Sequence, residues 1–170
     1  VSVRVHPSLV PAANPLASVH GAFNAVLIDA EAAGRLMFYG QGAGGAPTAS
    51  AVLSDVVAAA SHRVNGGQAP RESSYADLPI LGPGSAITRY QVQLRVDDKP
   101  GSLAALAGAF AVNDVSINSV RQNEYVGAEQ AIVTIVTHPA AVFHLDAAVE
   151  ALRKEERVLG VVSVRRVEGE

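Results

Sequence analysis

The sequence contains no cysteine among its 170 residues, so neither a disulfide framework nor a thiolate metal site is available. This absence fits a cytoplasmic protein. There is also no run of lysine and arginine, and the formal net charge is -3. A chain with this charge is not expected to have nucleic acid or an anionic membrane as its main partner. The composition instead favours a small molecule or another subunit.

Long hydrophobic runs are missing too. The alanine-rich stretch 49–60 is interrupted by Ser50, Ser54 and Asp55, and it falls short of the roughly 20 apolar residues of a membrane span. The five histidines lack the spacing of metal ligands, so no metal site is predicted. Hydrophobic residues nevertheless make up 49% of the chain, which is enough for a buried core.

The chain opens with Val1, Val3 and Val5 at alternate positions, which predicts a strand rather than a targeting peptide. Further patterns predict two strands and a helix, at residues 21–28, 35–39 and 47–60. Three strands and one helix are too few to bury their own apolar faces. We therefore expect residues 1–62 to be a fragment of a larger α/β domain, and the opening in mid-strand to mark a piece of something longer.

Three glycines, Gly42, Gly44 and Gly45, stand just before the predicted helix. Glycine leaves no Cβ in the way of a ligand, and the first turn of a helix presents unpaired N–H groups and a partial positive charge. This combination suits a nucleotide or another anion. The spacing is not that of a Rossmann G-x-G-x-x-G turn, however, and a tight strand-to-helix turn without a ligand explains the glycines about equally well.

The second half has a more complete pattern. Residues 63–87 are rich in turn-forming residues and predict a linker. The elements predicted after it are a strand at 91–96, a helix with Leu103, Leu106, Ala107 and Phe110, strands at 115–121 and 131–137, a helix with Val142, Leu145, Val149 and Leu152, and a strand at 161–167. This β-α-β-β-α-β order predicts a ferredoxin-like domain over 88–170, in which two helices cover one face of a four-stranded antiparallel sheet. The predicted fold class is therefore α+β.

The strand at 131–137 has apolar residues on both of its faces, Ile132 and Val136 on one and Val133 and Ile135 on the other. Both faces of the sheet are therefore expected to need covering. A second copy of the domain is the natural cover. We expect a homo-oligomer in which these sheets pair side by side or face to face.

Three features of the second half resemble an ACT domain, a small module that binds amino acids in many biosynthetic enzymes. They are the turn D-D-K-P-G-S-L, the helix that follows it and the strand entry N-D-V-S-I-N. In that family the ligand lies between two paired modules, at the loop after the first strand and at the start of the second. The resemblance implies that an effector contacts Asp98, Gly101, Asn113, Ser116 and Asn118. Local capping and turn formation are the alternative roles of these polar residues.

The first half resembles the C-terminal part of the catalytic region of bacterial homoserine dehydrogenase, in which an ACT module follows this region. The resemblance is carried by the blocks H-P-S-L-V-P, N-P-L-A-S-V-H-G-A-F-N-A-V and G-R-L-M-F-Y-G-Q-G-A-G-G-A-P-T-A-S-A-V-L-S-D. It implies that Gly44, helped by Gly42 and Ala43, approaches the nicotinamide cofactor, NADP or NAD. Asn14 stands where relatives usually carry histidine. The resemblance places the dinucleotide loop, the catalytic lysine and the acidic residues that hold homoserine upstream of Val1, so no catalytic residue is assigned in this chain.

The leading interpretation is the C-terminal portion of an enzyme that interconverts homoserine and aspartate semialdehyde in threonine and methionine biosynthesis. The resemblance implies that its ACT domain senses threonine, and that the 170 residues alone do not oxidise homoserine. One alternative is a free-standing ACT module that binds amino acids. Another is a domain that only holds subunits together.

Overall fold

The structure is a computed structural model that describes residues 1–67, 77–124 and 129–168. It divides into two units. The sheet unit consists of Val1–Pro11 and Pro79–Glu170, and the hairpin unit is Ala12–Leu78.

The first residues of the chain lie with its second half. Contacts group Val1–Pro11 with the sheet unit, although these residues are in the predicted fragment 1–62. The division of the chain into domains at 1–62, 63–87 and 88–170 stays a prediction. Residues 68–76 of the predicted linker lie outside the described residues.

Except for the strand at Val1–Val5, the predicted helices and strands are present in the predicted order, and two two-residue strands are added. In chain order they are β1 (Ser8–Leu9), β2 (Phe23–Ala30), β3 (Gly34–Gln41), α1 (Gly45–Asn65), β4 (Ile87–Asp97), α2 (Ser102–Val112), β5 (Ile117–Glu124), β6 (Gln130–Thr137), β7 (Ala140–Ala141), α3 (Val142–Lys154) and β8 (Val158–Val167). Short 3-10 helices lie at Pro15–Ser18 and Pro83–Ser85. The last strand begins three residues before the predicted 161–167.

The sheet unit has the ferredoxin-like topology that the sequence predicts. Its strands lie in the order β1-β8-β4-β6-β5, with β7 paired to β4. The pairs β4–β6, β4–β8 and β5–β6 are all antiparallel, and only the added edge strand β1 is parallel to its neighbour. The α+β fold class is confirmed.

The core of the sheet unit lies between the sheet and its two helices. Alternate residues of β4 and β6 point into it, and Val92, Leu94 and Val133 are fully buried. From the helices, Leu106 of α2 and Leu145 of α3 are equally buried. The predicted spacing of apolar residues therefore selects the faces that pack.

The opposite face of the sheet is mostly polar. In β6, Ile132 and Val136 are only partly buried, as expected for a face without helices. The neighbouring strands, however, place Arg95 opposite Ile132, and Gln93 and Arg121 opposite Thr134. This face is therefore more polar than β6 alone indicates, and its cover by a second copy stays a prediction. Face-to-face packing of two copies would bring arginines together.

The strand predicted at Val1–Val5 is wrong. This segment has no strand geometry, and the side chains of Val3 and Val5 are 80% and 99% exposed. The backbone oxygen of Val1 accepts a hydrogen bond from the Leu81 N–H at 2.8 Å, but a regular ladder begins only at Ser8. Pro7 directly before the ladder has no N–H to donate, which limits how far the pairing extends.

The hairpin unit contains β2, β3 and α1. The two strands pair antiparallel from Phe23 opposite Gln41 to Ala30 opposite Gly34, and the turn closes at Gly34 with φ +69°. The rings of Phe23 and Tyr39 stack with centroids 4.8 Å apart. Both strands were predicted, with bounds shifted by one or two residues.

Helix α1 is longer than the predicted 47–60 and ends at Gly66, whose φ of +69° gives a left-handed cap. The helix has no buried residue, and Val52, Leu53 and Val57 are each more than half exposed. An apolar helix surface of this kind fits the expectation of a fragment. Within the part of the chain that the structure describes, no helix has the length and apolar character needed to cross a membrane.

Candidate functional site

A cleft of about 410 Å³ lies where the β4–α2 loop meets the end of β5. It is lined by Val96, Asp97, Asp98, Lys99, Pro100, Gly101, Ser102, Leu103 and Gln122. Internal hydrogen bonds hold the loop: the Ser102 hydroxyl donates to the Asp97 carbonyl at 2.8 Å, and the Ser102 N–H donates to the Lys99 carbonyl at 3.1 Å. A loop fixed in this way presents its remaining polar groups in a defined arrangement.

Gly101 is required at the start of α2. Its φ of +90° is a backbone conformation that L side chains rarely adopt. A Cβ at this position would also lie 2.9 Å from Nη1 of Arg157, which donates to the Pro100 carbonyl at 2.7 Å. Gly101 is the N-terminal cap residue of α2 and supplies no side-chain cap. The Ser102 N–H is bonded to Lys99, so the next N–H groups of the first turn, those of Leu103 and Ala104, are the ones left without a capping side chain.

The carboxylate of Asp98 faces the cleft and is held by a neighbour that sequence reasoning missed. Nε2 of Gln122 donates to Asp98 Oδ1 at 2.9 Å. The Asp98 N–H donates to the carbonyl of Glu129 at 3.0 Å. Nothing local in the sequence marks Gln122, because its position beside the loop depends on the register of β5 against β6.

A lysine brings positive charge to the same loop. Nζ of Lys99 lies 3.2 Å from Oδ2 of Asp97, and the Lys99 side chain is 58% exposed. An ion pair this exposed contributes little to stability, because water screens it. The lysine thus pairs with Asp97, whereas the Asp98 carboxylate accepts from the neutral amide of Gln122.

The other three predicted effector residues lie at the opposite end of the sheet. Asn113 caps α2, its Nδ2 donating to the Ala109 carbonyl at 2.8 Å. Ser116 precedes β5, and its carbonyl accepts from the His138 N–H at 2.8 Å. Asn118 is an exposed residue near the start of β5.

Within one copy of the chain, the two groups of predicted residues do not meet. Asp98 and Gly101 lie near the end of β5, whereas Ser116 and Asn118 lie at its start. At about 3.3 Å per residue, the length of β6 separates these ends by about 23 Å. Their roles in effector binding stay predictions.

The glycine loop in the hairpin unit offers a smaller candidate site. Gly44 has φ +123°, and Gly45 begins α1 with open space where its Cβ would be. A shallow surface there is lined by Gly44, Gly45, Thr48, Ala49, Val52 and Leu53. This start of a helix fits the approach of a cofactor at Gly44.

Gly42 has a different explanation. The side-chain amide of Asn24 fills the place that a Cβ on Gly42 would take, and the Gly42 N–H donates to the Ala22 carbonyl at 3.2 Å. Close packing at the end of the hairpin accounts for this glycine without a ligand. The predicted roles of Gly42, Ala43 and Gly44 in cofactor binding stay predictions. Over residues 1–67, 77–124 and 129–168, no group of three or more histidine, aspartate or glutamate side chains is placed to hold a metal ion.

Two family models match the chain. The model for homoserine dehydrogenase matches residues 1–57, and the model for the ACT domain matches residues 90–157. The second match spans the cleft and the strands and helices that form it. These matches define the class of protein, a dehydrogenase segment joined to a ferredoxin-like ACT domain.

Individual relatives agree with the models. The chain is 56% identical over 173 residues to homoserine dehydrogenase from Mycobacterium tuberculosis (strain ATCC 25618 / H37Rv), covering 99% of this chain and 39% of the relative. It is 51% identical over 168 residues to homoserine dehydrogenase from Corynebacterium glutamicum, covering 99% of this chain and 37% of that relative. The crystal structure of a homoserine dehydrogenase from Thiobacillus denitrificans superposes with a TM-score of 0.87 at 34% identity, covering 98% of this chain and 39% of the other.

The chain is similar to homoserine dehydrogenases over nearly its whole length, as a homoserine dehydrogenase segment followed by an ACT domain. It spans about two fifths of the length of the relatives it matches. The resemblance inferred from the sequence blocks is therefore confirmed for both halves.

Proposed function

We propose that this chain is the regulatory C-terminal portion of an NADP- or NAD-dependent homoserine dehydrogenase, and that its ACT domain senses L-threonine for feedback inhibition. The complete protein would interconvert L-homoserine and L-aspartate 4-semialdehyde in threonine and methionine biosynthesis. The observation that carries the proposal is the cleft between the β4–α2 loop and Gln122, in an ACT domain joined to a homoserine dehydrogenase segment.

The chemistry of the cleft suits an α-amino acid. The carboxylate of the ligand would accept hydrogen bonds from the N–H groups at the start of α2, where the helix dipole favours negative charge. Its ammonium group would pair with the carboxylate of Asp98, which Gln122 holds in place. Leu103 also lines the cleft and, as an exposed residue, supplies apolar surface for a short side chain with a methyl group.

The distribution of the predicted residues supports a site formed by two copies. The β8 edge of the sheet is already occupied by β1, whereas β5 is the other edge strand. If two copies paired antiparallel along β5, the start of each β5 would come to lie beside the loop of the other copy. Asn118 of one copy and Asp98 of its partner would then reach the same ligand. The arginines on the open face favour this side-by-side arrangement over face-to-face packing.

In the complete protein NADP or NAD would carry the hydride. In this chain Gly44 and Ala43, at the start of α1, would approach the nicotinamide end of that cofactor. No residue of the chain is assigned to catalysis by the resemblance. We therefore expect no NADP-linked oxidation of homoserine by the 170 residues alone, and turnover well above background would contradict this.

Calorimetry with L-threonine tests the proposed effector. We expect saturable heat with the natural chain and a loss of affinity of at least about tenfold in Asp98→Asn, which removes the charge but keeps the size of the side chain. The matched control is Asp114→Asn, an exposed position with φ +58° that asparagine tolerates. D-threonine tests stereospecificity.

Three results would count against the proposal. The first is no heat across millimolar concentrations of L-threonine, which would leave the domain as an assembly device or a sensor of another amino acid. The second is equal affinity of Asp98→Asn and Asp114→Asn. The third is a monomer by analytical ultracentrifugation in the presence of saturating L-threonine.

A further inference from the structure

The first eleven residues form a strap along the outer edge of the ACT sheet. The strap, Val1–Pro11, is part of the segment matched by the homoserine dehydrogenase model, yet its contacts lie with the ACT domain. Its strand β1 pairs parallel with the end of β8, Ser8 opposite Arg166 and Leu9 opposite Val167. The ladder continues for one more bond, from the Glu168 N–H to the Leu9 carbonyl at 2.9 Å. The dehydrogenase segment thus supplies an edge strand to the regulatory domain.

Side chains reinforce the strap only weakly. Nε2 of His6 lies 3.7 Å from Oε1 of Glu168, whose side chain is 40% exposed. Nδ1 of His6 lies 3.0 Å from the Ser8 hydroxyl. A ladder of two residues, supported by one long contact between a histidine and a glutamate, is a structure of low local stability. The strap can therefore open without unfolding the domain.

The strand that receives the strap also touches the effector cleft at its other end. Arg157, directly before β8, donates from Nη1 to the Pro100 carbonyl at 2.7 Å. Its own carbonyl accepts from the Asp97 N–H at 3.0 Å. Both bonds are to the loop that lines the cleft. A movement of Pro100 or Gly101 on ligand binding would thus act directly on the beginning of β8.

The far end of β8 is fixed to the body of the domain as well as to the strap. Arg166 stands opposite Tyr90 in the β4–β8 ladder. The Tyr90 hydroxyl donates to Oδ1 of Asp146 on α3 at 2.8 Å. His6 and Pro7 of the strap, together with Tyr90 and Arg166, line one cleft at this end. A shift of β8 would therefore change the surface on which the strap lies.

We propose that β8 couples the effector cleft to the strap, so that ligand binding at the β4–α2 loop changes how firmly β1 is held. The strap continues directly into Ala12, the first residue of the hairpin unit. Its release or tightening is thereby passed to the hairpin unit through the chain itself. The effector part of this inference rests on the proposed function. The ladder between β1 and the end of β8 has two states: in one β1 is docked on β8, and in the other it is open.

Amide hydrogen exchange on the full chain tests the coupling. The reporter is the Glu168 N–H, which bonds to Leu9 in the docked strap, and the amides of Val92 and Leu94 in the core report global unfolding. Arg157→Met removes the bond to Pro100. Arg153→Met is the matched control, because Arg153 pairs with Glu150 on α3 at 3.3 Å.

With saturating L-threonine, we expect exchange at Glu168 to change at least about fivefold relative to the two core amides, in the natural chain and in Arg153→Met. In Arg157→Met we expect no such change while calorimetry shows that threonine still binds. An equal response in Arg157→Met would overturn the coupling. So would an unchanged Glu168 amide in a natural chain that binds threonine.

Hydrogen exchange measured without ligand separates this inference from the proposed function. If the natural chain or a variant does not bind threonine, this measurement alone tests the coupling. Here Arg157→Met is expected to alter exchange at Glu168, relative to the core amides, while Arg153→Met is not. That result supports the coupling even if calorimetry rejects threonine as the effector. Identical exchange in both variants overturns it.

Discussion

The guanidinium group of Arg157 lies against the backbone of Gly101, with Nη1 only 2.9 Å from the place where a Cβ would stand. Arg157 directly precedes β8 and Gly101 caps α2, so one contact joins the beginning of the last strand to the candidate effector loop. Its geometry depends on Gly101 having no side chain and a positive φ.

Replacing Gly101 by alanine should therefore destabilise the domain. A positive φ is unfavourable for alanine by roughly 1–2 kcal/mol, and the methyl group must also displace Arg157. Gly108→Ala in the middle of α2 is the matched control, because a Cβ there meets nothing within 4 Å. It should stabilise the domain by about 0.5–1 kcal/mol, since alanine favours a helix. Urea unfolding measures both, and the expectation fails if the two substitutions shift the free energy of unfolding in the same direction.

Thr137 predicts a second stability effect. Its hydroxyl accepts a hydrogen bond from the Tyr90 N–H at 3.0 Å, and the residue is fully buried. Thr137→Val keeps the shape but leaves a buried N–H without its partner, which should lower the free energy of unfolding by about 1–3 kcal/mol. Thr134→Val on the open face of the same strand should change it by no more than about 0.5 kcal/mol. Thermal and urea unfolding measure both variants. If Thr137→Val and Thr134→Val change the free energy of unfolding equally, the hydrogen bond contributes nothing to stability.

Tyr90 predicts how stability depends on pH. Burial, and next the hydrogen bond to Asp146, raise the pKa of Tyr90 above its ordinary value, while Arg166 acts in the opposite direction. The folded state thus holds the phenol proton more tightly than the unfolded state. The resulting stabilisation is complete below the unfolded pKa of about 10 and is lost as the pH rises through the folded pKa.

In Tyr90→Phe, the free energy of unfolding should consequently fall less between about pH 9 and pH 11 than it does in the natural chain. Urea unfolding at a series of pH values provides the comparison. If the free energy of unfolding of Tyr90→Phe depends on pH in the same way as that of the natural chain, Tyr90 does not cause the loss of stability.

The fold of the ACT domain could be predicted because its apolar periodicity is complete. Leu106 and Phe110 lie one helical turn apart on α2, and Val92 and Leu94 alternate on β4, so local patterns alone select the packed faces. The open face could not be predicted from one strand. Its polar character comes from Arg95 and Gln93 of a neighbouring strand, whose register the sequence does not reveal.

The candidate site was only partly accessible to sequence reasoning. The loop residues Asp98 and Gly101 are local to a turn motif, and the structure places both at the cleft. Gln122 and Arg157 reach the loop from distant strands, so their contacts depend on tertiary structure. The alternation of Val3 and Val5 gave a wrong strand, because an alternating pattern does not by itself supply a neighbour with which to pair.

The pairing of Leu9 with Val167 also affects how the chain folds while it is being translated. During translation β1 leaves the ribosome long before β8. It therefore has no strand to pair with until β8 has emerged. Closing so large a loop is slow compared with forming local helices and hairpins. The docking of β1 should thus be among the last steps of folding, and a ribosome stalled before β8 would carry a nascent chain whose regulatory domain still lacks both of these strands.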